Sequence, residues 1–323
     1  MHLLVTGGAG FIGSAYVRRL LGGADPAGAR VTALTVLDAL TYAGARANLG
    51  PVAGDPRLRF VHGSVTDGPL LAELLPGVDA VVHLAAETHV DRSITGAAPF
   101  VTTNVLGTQT LLQAALEAGV PRFLQVSTDE VYGSIEHGSW REDAPLDPNS
   151  PYAASKAAAD LLALAYARTH GLNVTVTRCG NNYGPYQYPE KIVPRFVTAL
   201  LRGQQVPLYG DGLNVRDWIH VDDHCRGLQT ALEHGAPGEV YHIAGTAELT
   251  NRQLTSLLLA HCGADWSSVR PVADRKGHDR RYALDDGKLR ALGYRPEVPF
   301  EAGLAATVAW YRDHLEWWHA AVD

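Results

Sequence analysis

Two clusters of side chains in this chain have types and spacings suited to proton chemistry. The first lies in Leu124-Gln-Val-Ser-Thr-Asp-Glu-Val-Tyr-Gly133, where an apolar strand runs directly into Thr128, Asp129 and Glu130. A carboxylate is costly to bury unless it is paired or has a task. Two in succession at the C-terminal end of a buried strand, where open parallel sheets bind ligands, point to an acid and a base. The second cluster is Tyr152-Ala-Ala-Ser-Lys156, which follows Asn149-Ser150-Pro151. Asn or Ser can cap a helix and Pro suits its first position, so Tyr152 and Lys156 fall at i and i+4 on one face. A cation near a phenol favours the phenolate, which makes Tyr152 a tunable base. Each cluster has an ordinary alternative: capping of the turn after Thr128, and a tyrosine on an amphipathic helix. Their joint occurrence in one fold favours chemistry over both.

The elements that must position these groups are legible from the N-terminus onward. Leu3–Thr6 is a short buried strand. Gly7-Gly-Ala-Gly10-Phe-Ile-Gly13 follows, and a helix runs from Ser14 to about Gly22. The glycines at 7, 10 and 13 form a variant of the dinucleotide-binding fingerprint, whose uses are a tight turn, close approach to a pyrophosphate and close helix–strand packing. The next strand, Val31–Leu37, ends in Asp38, an acid placed to bind both ribose hydroxyls and to repel a 2′-phosphate, so NAD is expected over NADP. Strands follow at Leu58–His62, Ala80–Ala86 and Phe123–Ser127, with Glu87-Thr-His-Val-Asp91 at the ligand edge. A long helix is expected from Phe100 to about Ala118, with Asn104 a poor helix former inside it. Helix Pro151–Thr169 and strand Val174–Arg178 continue the alternation. Repeated βα units imply an α/β, Rossmann-type doubly wound parallel sheet.

Beyond residue 178 the pattern loosens. A helix is expected at Ile192–Arg202, a strand and loop at Pro207–Arg216, and a return to the sheet at Asp217–Asp222. A helix to about His234, capped by Asp222 or Asp223, and a strand at Val240–Ala244 come next, then helices near 251–262, 285–291 and 301–318. The expected division is a cofactor domain over 1–178, with return segments near 217–244, and a smaller, interleaved substrate-binding lobe over 179–323. Arg216, Arg275 and Arg280 sit on turn-rich segments of that lobe and could clamp a diphosphate.

Composition sets further bounds. The chain has 323 residues and a net charge of −7 with no basic run, which argues against nucleic acid as a partner. Cys179, Cys225 and Cys262 are odd in number and far apart, as in a reducing cytoplasm. Residues 1–21 do not read as a signal peptide, and no run approaches the ~20 apolar residues of a membrane span. His220-x-x-x-His224-Cys225 has no accompanying ligand cluster, so no metal is expected. No nucleophile elbow is present.

The chain resembles the extended short-chain dehydrogenase/reductases, and within them the dTDP-glucose 4,6-dehydratases. The resemblance rests on Gly7–Gly13, Asp38-Ala-Leu-Thr-Tyr-Ala-Gly44, His83–Ser93, Ser127–Gly133, Tyr152–Lys156, Asn181–Pro185, Tyr209–Gly212, Asn214–His220 and Asp274–Arg281, which span nearly the whole chain. The Thr-Asp-Glu triplet discriminates: nucleotide-sugar 4-epimerases, one alternative, keep the Tyr and Lys but eliminate nothing and need no acid pair. A non-catalytic nucleotide-sugar-binding protein, the other alternative, needs neither pair.

The resemblance implies that Tyr152, assisted by Lys156, takes the glucose 4-hydroxyl proton while NAD accepts hydride from C4. It implies that Glu130 removes the C5 proton, Asp129 protonates the departing 6-hydroxyl, and Thr128 binds near the 4-position. Gly7, Gly10, Phe11, Ile12, Gly13, Asp38, Thr41, Ser64, Val65, Ala85, Thr103, Tyr152, Lys156 and Asn182 would line NAD. Thr88, Thr128, Asn181, Lys191, Pro207, Tyr209, Arg216, Asn251, Asp274, Arg275 and His278 would hold dTDP-glucose. The helices at 100–118 and 151–169 would form a homodimer interface. Two positions depart from the family pattern: Ser64 stands where an adenine-binding Asp is usual, which removes a charge-assisted contact, and Thr88 replaces Ser with its hydroxyl retained.

Overall fold

The computed structural model describes residues 1–322, with side chains through His319. In chain order the strands are β1 (His2–Thr6), β2 (Ala33–Asp38), β3 (Leu58–His62), β4 (Ala80–His83), β5 (Arg122–Thr128), β6 (Val174–Cys179), β7 (Asn181–Tyr183), β8 (Val206–Tyr209), β9 (Val215–His220), β10 (Val240–Ile243), β11 (Ala247–Thr250) and β12 (Val269–Val272). Seven of them form one sheet in the order β10-β6-β5-β4-β1-β2-β3, with every pair parallel. The order reverses between β1 and β4, the switch point at which such sheets bind ligands.

The strand sequences explain why the sheet is covered on both faces. Leu3, Leu4 and Val5 are all fully buried, yet alternate residues point to opposite sides. Leu3 and Val5 pack with helices Phe11–Leu21 and Val221–His234; Leu4 packs with helices Gly68–Leu74, Gly107–Glu117 and Pro151–His170. The expected α/β doubly wound sheet is therefore observed. A third core, built on Tyr183, Phe196, Trp218, Leu258, Leu304 and Trp318, belongs to the smaller lobe. That lobe holds a three-stranded sheet, β11-β9-β7, and a two-stranded one, β12-β8.

Some elements differ from expectation. The segment Asp217–Asp222 does not rejoin the large sheet: β9 pairs with β7 and β11 in the small one, and only helix Val221–His234 and β10 return. Strand periodicity shows that a segment is a strand but not which sheet it enters. The cap of helix Val221–His234 is His220, whose Nδ1 accepts from the Asp222 backbone N–H at 3.2 Å. Asp223 instead accepts from the backbone N–H groups of Glu297 and Val298 and pairs with Arg226. The expected helix at 301–318 is two, Phe300–Asp313 and Leu315–Val322.

The helical run from Ala98 to Glu117 contains a π-turn, Val101–Leu106, that carries Asn104 inward. The Asn104 side chain is 1 % exposed. Its Oδ1 accepts from the Glu87 N–H at 2.8 Å, and its Nδ2 donates to Glu87 O at 3.0 Å and to Ser155 Oγ at 2.8 Å. One amide thus ties the loop after β4 to the helix that bears Tyr152 and Lys156. The wide turn is the local distortion that buries a polar residue on an otherwise apolar face. Asn104→Ala strands the backbone groups of Glu87, and we expect it to lower unfolding free energy by ~1–3 kcal/mol in a urea titration followed by circular dichroism.

Candidate active site

Sequence-distant segments meet along one cleft of about 500 Å³ that crosses the C-terminal ends of β1, β2, β4, β5 and β6 and continues into the small lobe. At its near end the backbone after β1 turns sharply. Gly7 has φ +69°, and a Cβ there would lie 2.6 Å from the Ala85 nitrogen; a Cβ on Gly13 would lie 2.2 Å from the Gly7 oxygen. Side chains at either position would prise the loop from the sheet. The helix that follows, Phe11–Leu21, starts at Gly10 with no side-chain cap, so its first N–H groups face the cleft unclaimed by any side chain. Asp38 ends β2 and is buried; its oxygens accept from the backbone N–H groups of Ala9 and Leu40, both at 2.8 Å, and it still borders the cleft. An uncapped helix start behind close-packed glycines, with a carboxylate at the neighbouring strand end, fits a dinucleotide.

The chemistry-bearing residues lie deeper. Thr128 ends β5 and Asp129–Tyr132 forms a single 3₁₀ turn. The Thr128 hydroxyl accepts from the Glu130 N–H and donates to Asp129 Oδ1, both at 3.2 Å, so the capping alternative is observed. Asp129 is 2 % exposed, and its Oδ2 is buried without a hydrogen-bond partner among the described residues. Burial, then the neighbouring Glu130 and Asp217, push its carboxyl well above the usual range. Burial raises Glu130 also, but Arg275, Lys191 and Arg216 oppose the rise. Both adjacent carboxyls are thus raised by burial, but Arg216 alone among the named cations opposes the rise at Asp129, whereas Arg275, Lys191 and Arg216 oppose it at Glu130.

Tyr152 and Lys156 occupy the first turns of helix Pro151–His170, capped by Ser150, whose Oγ accepts from the Ala153 N–H. Both are buried, and both line the cleft. Lys156 Nζ donates to Val126 O at 2.7 Å, which fixes the ammonium against β5. The expected lowering of the Tyr152 phenol by Lys156 is not seen: burial, then Glu130, raise it well above its ordinary value, with Thr128 pulling the other way. Desolvation outweighs the cation, whose main electrostatic partner is Asp160 on the same helix.

The small lobe supplies polar groups to the far end. Arg216 is buried, stacks on Tyr282 at 4.3 Å and donates to the Val215 and Asp279 carbonyls. Lys191 Nζ donates to Thr88 O at 2.7 Å, joining the lobe to the loop after β4. Tyr209 donates to Asp91 at 3.3 Å. Every residue expected to bind cofactor or substrate lines this cleft, with one exception. Asp274 is exposed and faces away; its carboxylate accepts from the Arg275 N–H and bonds His278 Nδ1 at 2.6 Å, so it positions two lining residues without being one. Arg280 also stays outside, paired with Asp211. Ser64 lines the cleft with its hydroxyl bonded to Thr66 Oγ1 at 2.8 Å. His224 bonds Asn182 Oδ1 at 2.9 Å, where sequence spacing alone suggested comparison with metal ligands. Tyr42, His89 and Asp91, which the sequence placed in motifs without a role of their own, also line the cleft, as does Glu190, which it did not single out. Tyr42 donates to Glu190 at 3.1 Å across 148 positions of chain, a pairing with no local signal.

Comparison with known proteins places this geometry. Residues 4–307 match the family model described as GDP-mannose 4,6 dehydratase. The chain is 63% identical over 319 residues to a dTDP-glucose 4,6-dehydratase of Streptomyces antibioticus, covering 98% of this chain and 94% of that one. A crystal structure of a dTDP-glucose 4,6-dehydratase from Streptomyces venezuelae, solved with NAD bound, is 66% identical with a TM-score of 0.98 and covers 99% of this chain and all of that one. A UDP-glucose 4-epimerase from Thermus thermophilus, also in complex with NAD, is 33% identical over 97% of this chain and all of its own, with a TM-score of 0.87. The chain belongs to the GDP-mannose 4,6-dehydratase family of NAD-dependent sugar-nucleotide enzymes, and within it stands with the dTDP-glucose 4,6-dehydratases.

Proposed function

We propose that this protein converts dTDP-glucose to dTDP-4-keto-6-deoxyglucose with NAD retained through the cycle. The observation that carries this reading is the adjacent pair: Asp129, pushed well above the usual carboxyl range, beside Glu130, whose rise three cations oppose, both on the cleft that Tyr152 and Lys156 line. An epimerase has no use for that pair, and a binding protein has no use for any of the four.

Gly7, Gly10, Phe11, Ile12, Gly13, Asp38, Thr41, Ser64, Val65, Ala85, Thr103 and Asn182 hold the dinucleotide, with Tyr152 and Lys156 at its reactive end. NAD, when bound, would supply the hydride chemistry, as acceptor of the hydride at C4 and its donor to C6. The chain's own residues move the protons. Tyr152 Oη, with Lys156 behind it, takes the 4-hydroxyl proton and Thr128 bonds the same oxygen. The ketone at C4 acidifies C5–H, and Glu130 removes that proton. Asp129 gives its proton to the 6-hydroxyl, which leaves as water, and a proton returns to C5. Thr88, Asn181, Lys191, Pro207, Tyr209, Arg216, Asn251, Arg275 and His278 hold the nucleotide sugar, with the arginines on its diphosphate.

We propose a homodimer built on the helical runs 98–117 and 151–170. Val101, Leu106 and Leu161 on these runs are 53%, 51% and 57% exposed, an apolar surface that a second copy would cover. The three free cysteines suit a reducing cytoplasm, and no helix among the described residues is long and apolar enough to cross a membrane.

Incubation with dTDP-glucose in deuterated water, without added NAD, should yield a product lighter by one water and carrying deuterium at C5; inversion at C4 with no loss of water would mean an epimerase instead. In the same assay Asp129→Asn and Glu130→Gln should slow dehydration by ~10²–10⁴-fold while C4 oxidation, read as reduced cofactor at 340 nm, persists. Folding stability should carry the mark of Asp129. An unfolded aspartate ionises near pH ~3.9, whereas the folded one keeps its proton, so stability is greatest below that value and declines as pH rises toward the raised folded pKa. Urea titrations should show Asp129→Asn gaining on the parent by up to about 1.4 kcal/mol per pH unit over that range; parallel curves would mean Asp129 is ionised when folded. Leu161→Arg should sediment as a monomer where the parent sediments as a dimer.

A further inference from the structure

The C-terminal helices make contacts that neither the chemistry nor the substrate lobe explains. Trp317, on helix Leu315–Val322, donates from its indole N–H to Asn48 Oδ1 at 2.9 Å, across 269 positions of chain. Asn48 is 1 % exposed, and its Nδ2 donates to the Ala9 carbonyl at 2.8 Å. Ala9 is the tip of the glycine-rich turn, and its N–H is taken by Asp38 Oδ2. The turn is thus pinned through both backbone groups of one residue: by Asp38 from the sheet and by Asn48, which is itself held by Trp317.

The same aromatic group reaches the other end of the cleft. Trp310 and Trp317 pack on Tyr186, with ring centroids 4.5 and 5.6 Å away, and Arg18 stacks on the Tyr186 ring at 4.0 Å while donating to Ser14 Oγ and to Asn48 O. Tyr186 has φ +67°, a left-handed conformation that a bulky side chain adopts only where packing enforces it. It precedes Gln187, whose carbonyl accepts from Tyr311 OH and whose Nε2 donates to Asn182 O at 2.9 Å. Gln187 and Asn182 line the cleft. One set of C-terminal aromatics therefore fastens the glycine turn and the Asn182 segment together.

We propose that Trp317 and Asn48 are positioning residues for cofactor retention: the Trp317–Asn48–Ala9 chain locks the glycine turn in the shape that holds the dinucleotide and slows its escape. This rests on the reading that NAD stays bound between turnovers. A retained cofactor needs a slow release step, and a turn fastened from outside the cleft must loosen before its contents leave. The two residues touch neither sugar nor reacting atoms.

The test uses purified full-length protein. Trp317→Phe keeps the ring and removes only the indole N–H; Trp318→Phe is the matched control, because its indole N–H donates to Tyr311 O inside the C-terminal helices and not to Asn48. NAD carried through gel filtration and the rate of NAD release in a chase are measured, together with the thermal midpoint of each protein and kcat at saturating added NAD. Trp317→Phe should release NAD about three- to tenfold faster, the weight of one neutral hydrogen bond, with kcat at saturating NAD preserved. Trp318→Phe should release it at the parent rate even where its thermal midpoint falls. Parent-like release from Trp317→Phe overturns the proposal, as does equal acceleration in both variants, which would assign the effect to general loosening of the helices. A parent protein that neither carries nor takes up NAD fails the underlying reading instead, and the two failures are told apart by the parent alone.

Discussion

The placement of Asp129 is the constraint on which the rest of this structure turns. A carboxyl removed from water beside a second carboxyl is pushed toward its protonated form, because burial, Glu130 and Asp217 outweigh the opposing pull of Arg216. An acid that must be protonated at neutral pH can be made in few ways, and desolvation is the simplest. Burial raises the neighbouring Glu130 as well, but Arg275, Lys191 and Arg216, all three from the small lobe, oppose the rise. The fields at these adjacent residues of one turn thus depend on two different parts of the fold: the end of β5 leads into the buried Asp129, and the small lobe brings the cations that face Glu130.

Buried polar groups also occur outside the cleft. His83, on β4, bridges the hydroxyls of Thr6 and Thr108 and is pushed down to about 3 by burial, a neutral imidazole that joins two strands and a helix. Arg178 on β6 joins Asp160 to Tyr132, and Tyr132 bonds His242 at 2.7 Å. These bonds join strands to helices and help specify the packing. Asp129 Oδ2 and Asn181 Oδ1 in the cleft are buried with no partner among the described residues, as is Asp160 Oδ1 outside it.

Tyr152 shows why fold-level likeness and site chemistry need separate arguments. The i, i+4 spacing to Lys156 is common ground between dehydratases and epimerases, and helix geometry alone delivers it. Burial, then Glu130, raise the phenol well above its ordinary value, so the i, i+4 spacing alone does not describe its surroundings.

Much of this protein is determined by local sequence. The glycine spacing at 7, 10 and 13 is legible because only close backbone packing demands it, and the Thr128-Asp129-Glu130 triplet because a strand end is no place for idle carboxylates. The parallel sheet follows from alternating apolar strands and helices. Tertiary structure decided what depends on distant segments. Strand β9 carries the same alternation whichever sheet it joins, so its place in the small sheet was not readable from Asp217–Asp222. Asp274 and Arg275 are neighbours in sequence, but only the loop's path turns one toward the cleft and the other away. Asn104 looked like a misfit in a helix and is a tie between three elements, because a π-turn, invisible in residue spacing, faces it inward. Which residues can do chemistry is a property of their types and intervals; how firmly each carboxyl holds its proton is a property of the field, and part of that field comes from residues far away in the chain.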